Sequence, residues 1–307
     1  MNYTLIRMKN KMLYPQSNLL KGLFFGIIAA FIWAMFPAIT RLSIEQTLSL
    51  WDIIALRFLV AGPLLLPFFL RHKFLNIPPI GIVLLVAGAG APYLIIAVLG
   101  LSYTPASHFG VIVPSCMLVF AALGSWYFLN EKINLLRTLG MTTIIIGIFT
   151  ISWEGLSASG ENIWIGDLLF IVGGLFWASY TVASRYWKVQ PLHAISIVSV
   201  ISMFIYLPPY FIFLEPRIFS APVTEVLWQA FFQGILSVLI ALLFYTRAVE
   251  LLGASKGALF AALVPSFALL IAYPVLNEIP TTLQLGGVLF VTLGMLMALG
   301  ILKPRKS

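Results

Sequence analysis

Two stretches of this sequence echo each other, and both are too apolar for a water-soluble fold. Trp33-Ala34 followed by Arg41 returns 144 residues later as Trp177-Ala178 followed by Arg185. Asn130-Glu131 followed by Gly140 and Gly147 returns 147 residues later as Asn277-Glu278 followed by Gly287 and Gly294. The chain therefore reads as two copies of one unit of roughly 145 residues. Apolar runs of about 20 residues, enough to cross a hydrocarbon core of about 30 Å, lie near 22–40, 52–70, 79–101, 105–129 and 134–152. Five more lie near 164–184, 191–214, 225–246, 254–276 and 282–302. An odd number of crossings per copy makes the second enter the bilayer in the opposite direction to the first. The expected fold is an all-α membrane protein with ten transmembrane helices in two inverted five-helix repeats, the layout of a transporter.

Between these runs no connection is long enough to fold by itself, so any binding or chemistry must occur among the helices. With 61% hydrophobic and 9% charged residues, the chain lies far from the roughly 25% charged content of soluble domains. The expected organisation is a tail over 1–21, repeats over 22–152 and 164–302, and a tail over 303–307. Arg7, Lys9, Lys11 and Lys21 precede the first run as a secretory signal would have them, but nine further runs follow, so the tail reads as uncleaved. The single cysteine, Cys116, falls in the fourth run and has no partner thiol.

Orientation follows from the cations, which accumulate on cytoplasmic flanks. With both termini inside, only Arg41, Arg57 and Arg217 of the 18 Lys and Arg lie off the cytoplasmic side. Of the acids, only Glu131 and Glu250 lie inside; Glu45, Asp52, Glu154, Glu161, Asp167, Glu215, Glu225 and Glu278 fall at outer ends. The net charge of +8 is thus a topology signal and gives no reason to expect a nucleic-acid partner.

At these residues the chain resembles the EamA family of the drug/metabolite transporter superfamily. The resemblance rests on Trp-Ala in the first helix of each repeat and on Leu56-Arg57-Phe58 in the second helix. It rests also on Pro114 and Pro265 ahead of a closing Asn-Glu, and on the paired glycines of each fifth helix. It implies an inner-membrane exporter or exchanger of small metabolites, with a central cavity lined by helices 1, 3, 4, 6, 8 and 9. The family shares no one substrate.

Mid-span aromatic and weakly polar side chains are the candidate substrate contacts: Trp33, Phe36, Tyr93, Trp177, Tyr180, Gln233, Ser237, Tyr245 and Ser266. Such a lining suits an amphipathic metabolite, an amino acid or a lipophilic cation. Arg57 joins them as a possible reader of a carboxylate or phosphate. It lies about 8 Å inside the outer end by helical rise, where a cation is costly unless paired or snorkelling. The structural reading, favoured from sequence, has it reach the interface or pair with Asp52 or Asp167. His108, at the outer start of the fourth run, is the coupling candidate, because histidine alone ordinarily titrates near neutrality; a solvated interfacial histidine is the simpler reading. No carboxylate is expected mid-membrane, so protons are a conditional partner. Pro114 and Pro265 should bend the fourth and ninth helices at different depths, lying 17 and 13 residues before their Glu. Gly140 with Gly147, and Gly287 with Gly294, each share a helix face, for packing within one chain or in a homodimer.

Enzyme motifs fare poorly. Gly253-Ala254-Ser255-Lys256-Gly257 matches a nucleophile elbow in letters but lies between spans 8 and 9 without a strand context. Gly88-Ala89-Gly90 lacks the third glycine of a dinucleotide loop, and no metal-ligand spacing occurs, so no cofactor is expected. The reading is a non-enzymatic alternating-access transporter of a small metabolite. The runner-up is a small-molecule-responsive receptor or scaffold without net transport.

Overall fold

The computed structural model describes residues 16–74, 76–157 and 162–301. Residues 1–15 of the expected N-terminal tail, the tail 303–307, Glu161, and the side chains of Glu154 and Ser255 lie outside that range. Among the described residues there is no strand, and one short 3-10 helix (Arg217–Phe219) accompanies ten long helices. They are α1 (Gln16–Gln46), α2 (Leu50–His72), α3 (Pro79–Leu101), α4 (Ala106–Leu129) and α5 (Leu135–Ser157). The second five are α6 (Ile163–Tyr186), α7 (Pro191–Phe213), α8 (Val223–Leu252), α9 (Ala254–Leu276) and α10 (Thr282–Ala298). Nine are long and apolar enough to cross a bilayer, and α10, at 17 residues, is shorter. Large apolar side chains such as Ile146, Ile212, Leu243 and Leu270 point outward, as a lipid-facing surface requires.

Local chemistry sets several ends. Ser49 and Thr281 start α2 and α10 with capping boxes, closed by Asp52 and Gln284; each box satisfies amide groups that no carbonyl can reach. Asn130 and Asn277 end α4 and α9 in the left-handed conformation, both at φ 55°, a conformation asparagine tolerates better than most residues. The repeated Asn-Glu is thus a helix stop followed by a carboxylate placed just past it.

Packing has the symmetry of the sequence. The helix α1 lies against α8 and α9, while α6 lies against α3 and α4; α2 pairs with α7, and α5 with α10. Advancing every helix by five reproduces the list, and because each repeat crosses an odd number of times, α1 and α6 run in opposite directions. The repeated glycines meet each other inside this one chain: a Cβ on Gly294 would stand 2.7 Å from Gly140 O, and one on Gly147 2.8 Å from Gly287 O. Both glycine faces are spent on the α5–α10 crossing, which excludes them as a homodimer surface.

Two helices depart from the regular α-form, at matching places in the two repeats. The span α3 breaks into Pro79–Ala89 and Ala91–Leu101 at Gly90. Pro92 has no N–H to continue the ladder, and the freed Ala91 N–H donates to Ser202 Oγ of α7 at 3.1 Å. A side chain on Gly90 would collide with that hydroxyl. In α8, residues Phe232–Ile240 form a nine-residue π-helix; such segments are rare and concentrate at functional sites.

Candidate functional site

Arg57 is buried within the helix bundle, 7% exposed, and neither expected carboxylate reaches it. The expectation that it pairs with Asp52 or Asp167, or snorkels to the interface, is corrected by what those groups do instead. Asp52 is the N3 residue of the α2 cap. Its Oδ2 accepts from Ser49 N at 2.7 Å and Ser49 Oγ at 2.6 Å, and its Oδ1 accepts from Tyr210 OH at 2.5 Å and Arg217 N at 3.1 Å. Five residues along a helix is 500°, so Arg57 leaves the helix about 140° away from Asp52. Asp167 is bound to His108.

What Arg57 meets is a hydroxyl and a ring. Its Nη1 donates to Ser237 Oγ at 3.0 Å, and its guanidinium carbon stands 5.9 Å from the centre of the Phe36 ring. Ser237 belongs to the π-helical run of α8, as does Gln233. There the Ser237 hydroxyl donates onward to Gln233 O at 3.1 Å, and the Ser237 carbonyl accepts from Trp33 Nε1 at 3.2 Å. Gln233 Nε2 reaches across to Thr40 Oγ1 at 3.0 Å and to Gln229 Oε1 at 3.2 Å; Gln229 Nε2 bonds Ser43 Oγ at 2.7 Å and Ile39 O at 3.1 Å. These amides tie α8 to α1 along a buried seam.

Aromatic rings close the remainder. Trp33 packs on Tyr245 with centroids 5.4 Å apart, and Tyr93, three residues past the α3 break, meets Trp177 edge-on at 4.8 Å. Trp177 in turn meets Tyr180 at 6.1 Å, and Phe36 meets Phe109 at 5.4 Å. The structure thus brings together nine sequence-derived candidates: Trp33, Phe36, Arg57, Tyr93, Trp177, Tyr180, Gln233, Ser237 and Tyr245. Ser266 stands apart, 3.5 Å from Thr292 of α10. Helices 1, 3, 6 and 8 supply the cluster, helix 4 borders it through Phe109, and α2 adds the charge; helix 9, which the resemblance also included, offers only Ser266, which stands apart. Pro114 and Pro265 lie inside α4 and α9, which continue through them; the two helices cross where a Cβ on Gly110 would strike Ala268.

The histidine expectation also changes. His108 is 2% exposed rather than solvated, with Nδ1 2.8 Å from Asp167 Oδ1 and Nε2 3.2 Å from Gln284 Nε2. Asp167, placed at an interfacial end by the sequence, is 3% exposed, and Asp52 is fully buried, so buried carboxylates do occur in the bundle.

The repeated Arg and Asn-Glu meet at both ends of the molecule. At one end Arg185 bonds Glu131 and donates to Ser125 Oγ at 2.8 Å, with Arg137 3.4 Å from the same carboxylate. Burial raises the affinity of Glu131 for a proton, but Arg185 and Arg137 outweigh it and hold the carboxyl below its usual value of 4.5. At the other end Arg41 lies 4.0 Å from Glu278 and donates to Thr104 O at 2.5 Å. Glu278 itself accepts from Ala106 N at 2.8 Å and Ser107 N at 3.1 Å, a carboxylate at the positive end of α4.

The profile of the EamA-like transporter family matches residues 20–153 and again 164–300. The chain belongs to the EamA-like transporter family. Among its relatives, this EamA-like protein is 25% identical over 257 residues to the uncharacterized transporter YoaV of Bacillus subtilis (strain 168), spanning 81% of this chain and 86% of that one. It is 26% identical over 225 residues to the uncharacterized transporter YyaM of the same organism, spanning 67% and 68%. A chain of known crystal structure superposes with a TM-score of 0.62 at 18% identity, covering 93% of this EamA-like protein and 99% of that chain; the likeness concerns the fold alone. Family and relatives together make this a multi-pass membrane transporter, for which a small-molecule substrate and the bilayer are the implied partners.

Sequence reasoning could not find the π-helix, for which the residues of α8 carry no marker. The α3 break had a signal in Gly88-Ala89-Gly90-Ala91-Pro92, a breaker cluster inside an apolar run. The Gln229–Gln233 pair was half visible, as two amides one turn apart.

Proposed function

We propose that this protein exports or exchanges a small amphipathic metabolite bearing a carboxylate, such as an amino acid, by alternating access in the inner membrane, with both termini cytoplasmic. One observation carries the reading: Arg57 is a buried cation that meets a serine hydroxyl, a phenyl ring and the Tyr93 phenol, with no salt-bridge partner among the described residues. A cation at that depth is expensive, and in membrane proteins such a charge marks a substrate or ion path. A carboxylate arriving at the guanidinium would neutralise it, while Trp33, Phe36, Tyr93 and Trp177 would hold the apolar body.

The two irregular helices support the same place. Interrupted spans at corresponding positions of inverted repeats point to the binding site of a secondary transporter, and here one delivers Tyr93 and the other Ser237. Access requires the Tyr93–Trp177 and Trp33–Tyr245 contacts to part on one side at a time, with the Arg185–Glu131 and Arg41–Glu278 couples releasing alternately. Pro114 and Pro265 are the positions at which α4 and α9 would flex.

Flux of labelled amino acids, and of their esters and decarboxylated amines, into proteoliposomes tests the proposal. Saturable flux is expected for the carboxylates and not for the esters or amines. Equal flux of esters, or binding without any flux, overturns it. An imposed pH gradient with and without His108→Gln tests coupling: acceleration that disappears in the variant assigns the proton to the His108 pair.

A further inference from the structure

A cavity lies between α4, α5 and α6, with none of the central cluster's candidate contacts in its lining, and it carries chemistry that the central site does not use. It encloses about 470 Å³ and is lined by Cys116, Val119 and Phe120, by Ile145, Ile148, Phe149 and Ser152, and by Trp164, Asp167, Leu168 and Ile171. Its volume falls within the usual range of small-molecule sites, roughly 300–1,000 Å³. Ile145, Phe149, Trp164 and Leu168 are about half exposed on the outer surface, so the cavity opens sideways, towards lipid.

Two of the lining residues each carry a buried polar atom that lacks a partner among the described residues, Asp167 Oδ2 and Ser152 Oγ. Asp167 is 3% exposed, and His108 occupies only its Oδ1. An unpaired carboxylate oxygen in an apolar wall is costly and is relieved by a positively charged donor. We propose that this groove binds an amphipathic ammonium that enters from the bilayer, with its charge on Asp167 Oδ2 and Ser152 Oγ and its apolar body along Phe120, Ile148, Phe149 and Ile171.

The lining selects this class over others. Two protein oxygens cannot replace the hydration shell of an inorganic cation, and no metal-holding group of acids, histidines or cysteines occurs among the described residues. A neutral lipid chain would leave both oxygens unsatisfied. The site is independent of Arg57 in position and opposite in charge preference.

The test is equilibrium binding of tritiated N-benzyl-N-methyloctylamine to the protein in lipid nanodiscs, with empty nanodiscs subtracted and benzyl octyl ether as the uncharged competitor. Asp167→Asn should weaken binding at least tenfold and Ser152→Ala about threefold, the ether should not compete, and Arg57→Gln should leave binding unchanged. Should Asp167→Asn fail to fold, Ser152→Ala and the ether carry the test. Undiminished binding to Asp167→Asn, or equal competition by the ether, overturns the site and leaves a lipid-filled crevice. Loss of binding in Arg57→Gln with retention in Asp167→Asn places the amine in the central cluster and also overturns it, whereas failure of the central reading alone leaves the amine binding intact.

Discussion

Replacing Arg57 by methionine separates a substrate cation from a structural one. In the folded protein the guanidinium gains one charged hydrogen bond, to Ser237 Oγ at 3.0 Å, of about 1.5–3 kcal/mol. Its approach to the Phe36 ring at 5.9 Å adds about 0.5–2 kcal/mol. Against these stands a cost of roughly 2.5–3.5 kcal/mol for an arginine held at the middle of a spanning helix. The opposing contributions nearly cancel, and Ser237 Oγ still donates to Gln233 O once Arg57 is gone. Arg57→Met should therefore change stability by no more than about 2.5 kcal/mol, in contrast to the roughly 3–5 kcal/mol lost when one partner of a buried ion pair is removed. Flux of a carboxylate substrate should fall roughly 10- to 150-fold, the equivalent of a charged contact of about 1.5–3 kcal/mol. Thermal unfolding in detergent and initial flux in proteoliposomes are the two readings. A strongly destabilised variant whose folded fraction still transports would refute the assignment of Arg57 to substrate.

Other substitutions probe the scaffold. Gly294→Ala sets a methyl 2.7 Å from Gly140 O, and forcing α5 from α10 should cost about 1–3 kcal/mol, read by thermal unfolding; a neutral result would mean that the two backbones do not cross there. Ser202→Ala removes the acceptor of the Ala91 N–H at the α3 break and should cost about 1–3 kcal/mol, with threonine restoring most of it. Because Glu131 is held below its ordinary 4.5, its pairing with Arg185 is fully present above about pH 4.5 and is lost as the pH falls through the lowered value. Wild-type melting should drop in that acid range, by under about 1 kcal/mol for a pair this exposed, and Glu131→Gln should not share the drop; identical acid profiles for both proteins would refute the contribution of the Glu131–Arg185 pair.

Much of this was legible from residue order, because in lipid the backbone must satisfy itself, which makes a long apolar run a helix. The repeated Trp-Ala, Arg and Asn-Glu marked the repeats, and the two-turn glycine spacing marked a tight crossing. Nine of the ten proposed substrate contacts converge because mid-span aromatic and amide groups have no reason to face lipid. Ser266 lies apart, facing Thr292 of α10, because a serine can satisfy itself against its own or a neighbouring helix.

Sequence by itself determined the class, the number of helices, their twofold repetition and which residue types could fill a central site. Pairing was decided only in three dimensions. Arg57 and Asp52 are five residues apart yet leave α2 in different directions, so the acid serves the helix cap and the cation is left to Ser237. His108 and Asp167 are separated by 59 residues and meet because α4 packs on α6. Helical runs record where a chain crosses the membrane, but the facing of one helix on another sets which charges are neutralised and which are left without a counter-charge.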